Sequence, residues 1–388
     1  MTAEPIIPGS ASSAGAAPFG DSMKPLSPRH RTTARTLLAT GLITSLALVS
    51  GCAKSEDDAS GSDKSTASQD GQGQVVASPS TGSGPTCAID AYGAEKIDLT
   101  SATVGFSQSE KEANPFRIAE TASIKAEAKK RGVKLLTANA QSQFSKQISD
   151  VQDLIAKGAD LLVIAPLNSD GWEPVLRSAS AKHIPIITID RKINATACKD
   201  YVSFIGSDFI EQGKRAADQM IESTGGKGEI AILLGAAGNN VTTERTKGFE
   251  DRVKEKAPGL KIVFKQTGEF AREKGQSVTE NLIQSKPGIN GIYAENDEMG
   301  LGAVNALKGA GKQPGAVKIV TVDGTRNAVQ GIVDGWIDGV VESNPRFGPL
   351  AFQTLDTFTK GEKVSQDIVI QDSAYTKNNA KADLGKAF

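Results

Sequence analysis

The chain has 388 residues, of which 44 are basic and 45 acidic, so its formal net charge is −1. A balance this close to neutrality excludes a global electrostatic attraction to nucleic acid, and we expect no nucleic-acid partner. Two histidines and three cysteines in the whole chain exclude a His-rich metal site and a conventional Ser-His-Asp arrangement, and we expect no metal or cofactor.

The first recognisable segment is the apolar run at 36–52, TLLATGLITSLALVSGC. Basic residues precede the run, and this charged-then-apolar order is typical of a secretory signal. The run ends in LVSGC, which resembles the lipobox of bacterial lipoproteins, so we predict that Cys52 is lipidated. A short transmembrane anchor is the alternative, but the run is shorter than the roughly 20 apolar residues that span a bilayer.

The segments around this run complete the predicted export signal and a tether. We predict that residues 1–51 form the signal peptide. Because residues 1–22 contain no basic residue, we expect its true start to be Met23. Residues 53–86 are rich in Ser, Gly, Asp and Gln, a composition that cannot bury enough apolar surface to fold. We therefore predict that 52–100 form a lipidated, flexible tether, followed by roughly 300 residues, enough for two domains.

Two cysteines remain once Cys52 is assigned to a lipid. Cys87 and Cys198 form an even pair in a chain predicted to be exported, which favours one disulfide between the start of the folded body and a later loop. Two buried free thiols are the alternative.

From residue 101 onward, apolar strands alternate with amphipathic helices. The pattern predicts strands at 103–108, 133–140, 159–166 and 184–190, with helices at 115–131, about 148–158 and 172–183. The alternation restarts after Ser207, with helices at 208–223, 242–256, 272–285 and 297–310 and strands at 229–236, 261–268, 289–296 and 317–324.

Near-continuous apolar strands joined by helices indicate parallel sheets of the α/β, doubly wound class. About ten such strands exceed one comfortable sheet, so we predict two similar lobes. The last segments, a strand at 338–343, a helix at 348–360 and a strand at 367–372, are then shared between them.

Polar residues follow these strands at the edge where parallel sheets bind ligands. The strand ends carry Gln108, Asp190-Arg191, Asn296 and Asp323, and the loops add Asn114, Phe116, Arg117, Trp172, Arg245 and Phe270. This set contains no nucleophile with a base and no phosphate-binding glycine loop, which argues against an enzyme. Carboxylates, amides, guanidinium groups and aromatic faces suit a polyol. At any single position, a helix cap or a surface ion pair is the alternative interpretation.

Several motifs occur in a fixed order along the body, among them VGFSQ at 104–108, GWEPVL at 171–176, Asp190-Arg191, Asn296-Asp297 and Val322-Asp323-Gly324. With them, residues 101–388 resemble the periplasmic-type sugar-binding proteins of ABC importers, in the ribose and galactofuranose branch. The resemblance implies a type I periplasmic binding protein fold, with two doubly wound lobes joined by three hinge strands. It implies that lobe 1 comprises 101–207 and 343–371, that lobe 2 comprises 208–342 and 372–388, and that crossings lie near Ser207, Ser343 and Gln371.

The resemblance also implies a ligand set. Phe116 would form an aromatic wall, with Phe270 or Trp172 on other sides of the sugar. Hydrogen bonds to hydroxyl groups would come from Asp190, Arg191, Arg245, Asn296 and Asp323, and the first lobe would be lined by Gln108, Asn114 and Arg117. Ribose-binding proteins carry aromatic residues where this chain has Arg117 and Val322, which points to the galactofuranose type, although that type has Trp at the position of Phe116.

The sequence thus predicts an extracytoplasmic, monomeric lipoprotein, attached to the outer face of the bacterial cell membrane by its lipid alone. It would capture a monosaccharide, a hexofuranose such as galactofuranose or a pentose, and deliver it to an ABC importer permease. A receptor component that presents a sugar signal to a sensor protein is the alternative. A transcription regulator's effector domain is disfavoured because the chain begins with a signal instead of a helix-turn-helix.

Overall fold

The structure, a computed structural model, describes residue 77 and residues 84–388. The predicted signal peptide, the predicted lipidation site at Cys52 and most of the predicted tether lie outside the described residues. Within the described part, no helix combines the length and the apolar composition needed to cross a membrane.

The first lobe is built on a six-stranded, all-parallel sheet. Its strand order is β13-β6-β5-β4-β2-β3, formed by β2 (Thr103–Gln108), β3 (Lys134–Asn139), β4 (Leu161–Ile164), β5 (Ile186–Ile189), β6 (Ser203–Gly206) and β13 (Asp367–Val369). Apolar side chains from the helices pack on both faces of this sheet, on one face from α2 (Pro115–Arg131) and α10 (Gly348–Thr359), on the other from α3 (Phe144–Ala156) and α4 (Glu173–Ser180). Burial on both faces explains why these strands are almost continuously apolar.

The second lobe repeats this plan with one difference. Its strand order is β14-β11-β10-β9-β7-β8, formed by β7 (Gly228–Leu234), β8 (Leu260–Thr267), β9 (Gly291–Ala294), β10 (Lys318–Asp323), β11 (Gly339–Glu342) and β14 (Ala374–Thr376). Only the edge strand β14 runs antiparallel to its neighbour. The helices of this lobe are α5 (Phe209–Thr224), α6 (Asn240–Lys256), α7 (Arg272–Ser285), α8 (Asp297–Gly309), α9 (Arg326–Val333) and α11 (Ala380–Asp383). The predicted fold class, α/β with two similar doubly wound lobes, is confirmed.

The chain passes between the two sheets at three places: after β6, after β11 and between β13 and β14. Ser207, Ser343 and Gln371, the predicted crossings, lie in these three segments. The segments lie side by side, because the Ser207 and Ser343 hydroxyl oxygens are 3.5 Å apart and the Asp372 carboxylate accepts a 3.4 Å hydrogen bond from the Asn344 backbone N–H.

The folded body begins earlier than the predicted end of the tether at residue 100. β1 (Thr86–Cys87) pairs antiparallel with β12 (Val364–Ser365), and α1 (Ile89–Tyr92) follows it. Cys87 forms a disulfide with Cys198, as predicted, and both Ile89 and Leu99 are buried. Ala77 is buried as well, and its N–H donates to the Arg346 carbonyl at 3.3 Å. The predicted boundary at residue 100 is therefore too late, because apolar residues before it join the core.

Candidate functional site

A cavity lies between the two lobes, at the carboxyl ends of their strands. The empty space inside it, including space open to solvent, is about 320 Å³. Nine of the eleven predicted ligand-binding residues line it, together with two that were not predicted; the lining residues are Glu110, Asn114, Phe116, Arg117, Asp190, Arg191, Val241, Arg245, Phe270, Asn296 and Asp323.

Arg117 is the centre of a buried charge cluster on the first lobe. Its Nε lies 3.0 Å from a Glu110 carboxylate oxygen, and its Nη1 lies 2.9 Å from Glu120 and 2.7 Å from Asp190. Only 3% of Arg117 is exposed, so these ion pairs are shielded from water. Bonds to a buried guanidinium fix the directions of the carboxylates around it.

Glu110 joins this cluster to the second arginine of the lobe. Its other carboxylate oxygen lies 2.7 Å from Arg191 Nη2, so a single carboxylate bridges both guanidinium groups. Burial alone would raise the pKa of Glu110, but the charges of Arg191 and Arg117 lower it to about 2. Glu110 therefore stays ionised and holds both arginines at the cavity wall.

Gln108 lies behind the cavity and does not line it. Its amide donates a 2.8 Å hydrogen bond to Glu120, which is fully buried beneath Arg117. Burial raises the pKa of Glu120 to about 7, although Arg117 opposes this shift. The nearby charge of Asp190 adds to this rise in the pKa of Glu120. In this position Gln108 orients the group that supports Arg117.

Trp172 also lies away from the cavity. Its indole N–H donates a 2.8 Å hydrogen bond to the Asn168 carbonyl, and its ring packs edge-on against Phe144 with centroids 5.5 Å apart. Only 2% of Trp172 is exposed, and it belongs to the apolar core under α3 and α4.

On the second lobe, Arg245 is positioned by neighbours that are not themselves in the cavity. Its Nε donates to the Gln212 amide oxygen at 2.9 Å, and its Nη1 donates to the Glu295 backbone carbonyl at 2.5 Å. Its Nη2 lies 3.8 Å from a carboxylate oxygen of Asp323, which also lines the cavity. The two hydrogen bonds hold the guanidinium in one orientation at the cavity wall.

Asp323 and Asp190 occupy matching places, each at the end of a central strand. Both have positive φ, 139° for Asp323 and 64° for Asp190, a conformation that ordinary residues adopt rarely. Burial and the nearby charge of Asp297 raise the pKa of Asp323 well above its usual range, against the effect of Arg245. Both residues line the cavity, and uncommon backbone conformations of this kind cluster at binding sites.

Asp297 serves the loop of Asp323 and does not line the cavity. Its carboxylate accepts hydrogen bonds from the backbone N–H groups of Gly324 at 2.9 Å and Thr325 at 2.7 Å. Asn296, one residue earlier, caps α8 by accepting from Met299 N–H, and its amide donates to the Phe270 carbonyl at 3.2 Å. Its role as a helix cap and its place in the cavity lining are therefore compatible.

An aromatic ring from each lobe faces the cavity. Phe116 stands in the first turn of α2, which Asn114 caps by accepting from the Phe116 N–H at 2.9 Å. Phe270 has φ of 59° and its ring lies against Gly235, where a Cβ atom would come within 2.1 Å of it. Only glycine at 235 leaves room for the Phe270 ring in this position.

Glu110 and Val241 are the lining residues that the sequence analysis missed. Glu110 lies two residues beyond β2 among three other polar residues, and one of its two arginine partners, Arg191, is 81 positions away. Val241 lies in the first turn of α6 and presents no polar group. The strand-end rule that identified Gln108 would have found Glu110 if it had been extended by two residues.

Glu295 makes the stability of the second lobe depend on pH. It is fully buried and accepts hydrogen bonds from Gly235 N–H at 2.7 Å and from the Thr246 hydroxyl. Burial raises its pKa from 4.5 to about 7, although these bonds and Arg245 lower it. The folded state then holds the proton to higher pH than the unfolded state. Its stabilising effect is complete below about pH 4.5 and is lost as pH rises through about 7.

We expect Glu295→Gln to reduce the fall in the free energy of unfolding between about pH 5 and pH 8 by roughly 2–3 kcal/mol, because glutamine cannot ionise. Urea unfolding at both pH values measures this. Glu229→Gln, an exposed change on β7 of the same sheet, is the matched control and should leave the pH dependence unaltered. An unchanged pH dependence in Glu295→Gln would contradict the assignment.

The comparison with known proteins extends over most of the body. The family described as periplasmic binding protein domain matches residues 104–363. The galactofuranose-binding protein of Escherichia coli (strain K12) is 35% identical over 290 residues, covering 73% of this chain and 91% of that protein. The ribose import binding protein of Bacillus subtilis (strain 168) is 36% identical over 256 residues, covering 66% of this chain and 81% of that protein.

A solved structure has a similar fold over most of the body. The periplasmic binding protein component of the arabinose ABC transporter from Shewanella sp. ANA-3, bound to α- and β-L-arabinofuranose, is 37% identical and has a TM-score of 0.70. The match covers 73% of this chain and 95% of that one.

Proposed function

Because the chain belongs to the family of periplasmic binding protein domains, we propose that its inter-lobe cavity captures a monosaccharide and that the protein delivers it to an ABC importer permease. The relatives are solute-binding proteins and not enzymes. We infer that the sugar is a hexofuranose such as galactofuranose, or a pentose.

The observation that carries this proposal is the division of the cavity between the lobes. Each lobe contributes a strained aspartate, at least one arginine held by buried partners, and one aromatic ring. The hydroxyl groups of a sugar can bond to the aspartates and arginines, and its less polar face can pack on the aromatic rings. Only the closed arrangement brings both sets around one ligand, so binding shifts the protein towards the closed form.

The charge of the cavity favours an uncharged ligand. Three guanidinium groups line it, and the three carboxylic groups among the lining residues belong to Glu110, Asp190 and Asp323. Ion pairs link Glu110 and Asp190 to the arginines of the first lobe, and Asp323 faces Arg245. A sugar acid or sugar phosphate would have to displace the carboxylic groups that already face these arginines, whereas a neutral polyol would not.

The furanose preference rests on the relatives. One is named for galactofuranose, and a solved relative holds arabinofuranose. Arg117 stands where ribose-binding proteins carry an aromatic ring. Its guanidinium forms ion pairs with three carboxylates of the first lobe. We therefore rank five-membered sugar rings first among the candidate ligands.

We further propose the cellular setting. Residues 1–51 would direct export, and a lipid on Cys52 would hold the protein at the outer face of the cell membrane, as a monomer. The binding proteins to which the chain is related act outside the cytoplasm, and the composition of 36–52 supports the anchor.

A thermal-shift screen tests the proposal, using the protein without residues 1–52 against pentoses, hexoses, furanose-enriched galactose and inositols. A sugar at one hundred times its Kd should add about 2.7 kcal/mol of stability and raise the melting temperature. The absence of a shift with every one of these compounds would contradict the sugar-binding function.

We expect Asp190→Ala to weaken binding of the sugar found in this screen by roughly 10- to 150-fold in calorimetry. The change removes a hydrogen-bonding charge and leaves Arg117 one partner short, a loss of about 1.5–3 kcal/mol. Asp153→Ala, an exposed position on α3, is the control and should bind as the wild type does. Unchanged affinity in Asp190→Ala would show that the cavity is not the binding site.

A further inference from the structure

Phe388 belongs to the second lobe by its backbone and to the first by its side chain. Its N–H donates to the Gly324 carbonyl at 3.2 Å, and its carbonyl accepts from the Arg326 N–H at 2.6 Å. Its ring is partly buried against the apolar cluster that α2 and α10 form on the first lobe. One residue therefore spans the boundary between the lobes.

The ring of Phe388 packs on a wall of the cavity. It lies edge-on to Phe116, with centroids 6.0 Å apart and planes at 77°, and the Arg346 guanidinium lies 5.5 Å from its centroid. This T-shaped geometry is among those that aromatic pairs favour. Phe116 itself lines the cavity, whereas Phe388 does not.

The backbone of Phe388 is bonded to the loop that carries Asp323. Gly324 directly follows Asp323, and Arg326 begins α9 just beyond it. The two hydrogen bonds thus hold the loop on either side of Thr325, next to the strained aspartate. Through its two contacts, Phe388 connects a cavity residue of one lobe with a cavity loop of the other.

We propose that Phe388 is a positioning residue for the closed cleft, which joins the Phe116 wall to the Asp323 loop without touching the sugar. The proposal rests on the proposed function, because it assumes that both walls hold one ligand. Rotation about the three crossing segments would carry Phe388 with the second lobe and Phe116 with the first. Opening would therefore break the ring pair and keep the backbone bonds.

The ring pair should act on the release of the sugar more than on its capture. The contact exists only once the lobes have closed, so its loss destabilises the closed complex and leaves the encounter with the open form unaffected. From the usual strength of an aromatic pair, Phe388→Ala should raise the dissociation rate about 3- to 10-fold, with little change in the association rate.

Phe144→Ala is the matched control, because Phe144 is a partly buried ring in an edge-on pair whose partner, Trp172, lies in the same lobe. Stopped-flow measurements with the sugar from the screen should show faster release for Phe388→Ala only, and Phe388→Tyr should restore slow release. Wild-type release from Phe388→Ala would overturn the proposal. So would equal acceleration in Phe144→Ala.

A second measurement needs no sugar and separates this proposal from the proposed function. Without sugar the closed form is a minor population, and loss of the ring pair should lower it further. A spin label attached at the exposed Glu273 of the second lobe should broaden the amide signals of the first-lobe residues 111–113 less in Phe388→Ala than in the wild type and Phe144→Ala. If no sugar binds the wild type, the proposed function fails and this measurement alone decides. Equal broadening in all three proteins would then overturn the role of Phe388.

Discussion

Replacing Arg117 with alanine is expected to lower the free energy of unfolding by about 3–5 kcal/mol, measured by urea denaturation at pH 7. The change removes the buried cation that pairs with Glu110, Glu120 and Asp190 at 2.7–3.0 Å. Glu110 and Asp190 then keep only Arg191, and Glu120 loses its cation. Uncompensated buried charge of this kind is among the most destabilising effects of a single substitution. Sugar affinity should fall with it, since Asp190 loses its orientation.

Two further variants make this result specific. Arg177→Ala, at an exposed position of α4, should change the free energy of unfolding by less than about 0.5 kcal/mol. Glu120→Gln combined with Arg117→Ala should recover part of the loss, because one buried carboxylate is removed together with the arginine. A loss in Arg117→Ala no larger than that of the surface control would contradict the buried-cluster interpretation.

Removing the disulfide with Cys87→Ser and Cys198→Ser together is expected to cost about 4–5 kcal/mol of stability. The two residues are separated by 111 positions, and a cross-link that closes a loop of about 100 residues restricts the unfolded chain by this amount in the chain-entropy model. Urea unfolding of the double variant against the oxidised wild type measures the difference.

The wild type under reducing conditions is the control for this change, and its stability should approach that of the double variant. Sugar affinity should be retained wherever the variant is folded, because neither cysteine lines the cavity. A loss below about 1 kcal/mol would show that the unfolded chain gains little freedom from removal of the cross-link.

Much of the fold could be predicted because its helices have local boundaries. α2 begins and ends where predicted, at 115 and 131, because Asn114-Pro115 provides a cap and a favourable first residue and Gly132 adopts positive φ of 70°. α7 likewise matches the predicted 272–285. Apolar strands buried on both faces give an equally local signal.

The sequence analysis predicted neither α9, although Thr325 gives it a local cap, nor two short strands that depend on distant partners. β14 has three residues, and its pairing with β11, which precedes it by more than 30 residues, defines it as a strand. β6 is four residues long and ends at the first crossing, so the sequence predicts a boundary between the lobes there and no strand. Short strands of this kind are defined by the sheet and not by their own composition.

For the site, the sequence predicted which positions lie near the cavity better than it predicted which side chains point into it. Strand ends identified Asp190 and Asp323, since every parallel strand delivers its last residues to the same edge. The same rule selected Gln108, whose side chain turns behind the cavity to Glu120. The role of Glu110 could not be read because it depends on Arg191, which lies 81 positions away.

The contacts of β1 determine how the folded body responds to a force applied to the residues that precede it. Both residues of β1 pair with β12, and the second of them, Cys87, is also joined covalently to Cys198. These partners belong to the first lobe. Tension applied ahead of β1 is therefore borne by that lobe alone. The three crossing segments carry none of the load, so the proposed hinge motion would be the same in a chain held by the proposed lipid on Cys52 as in one free in solution.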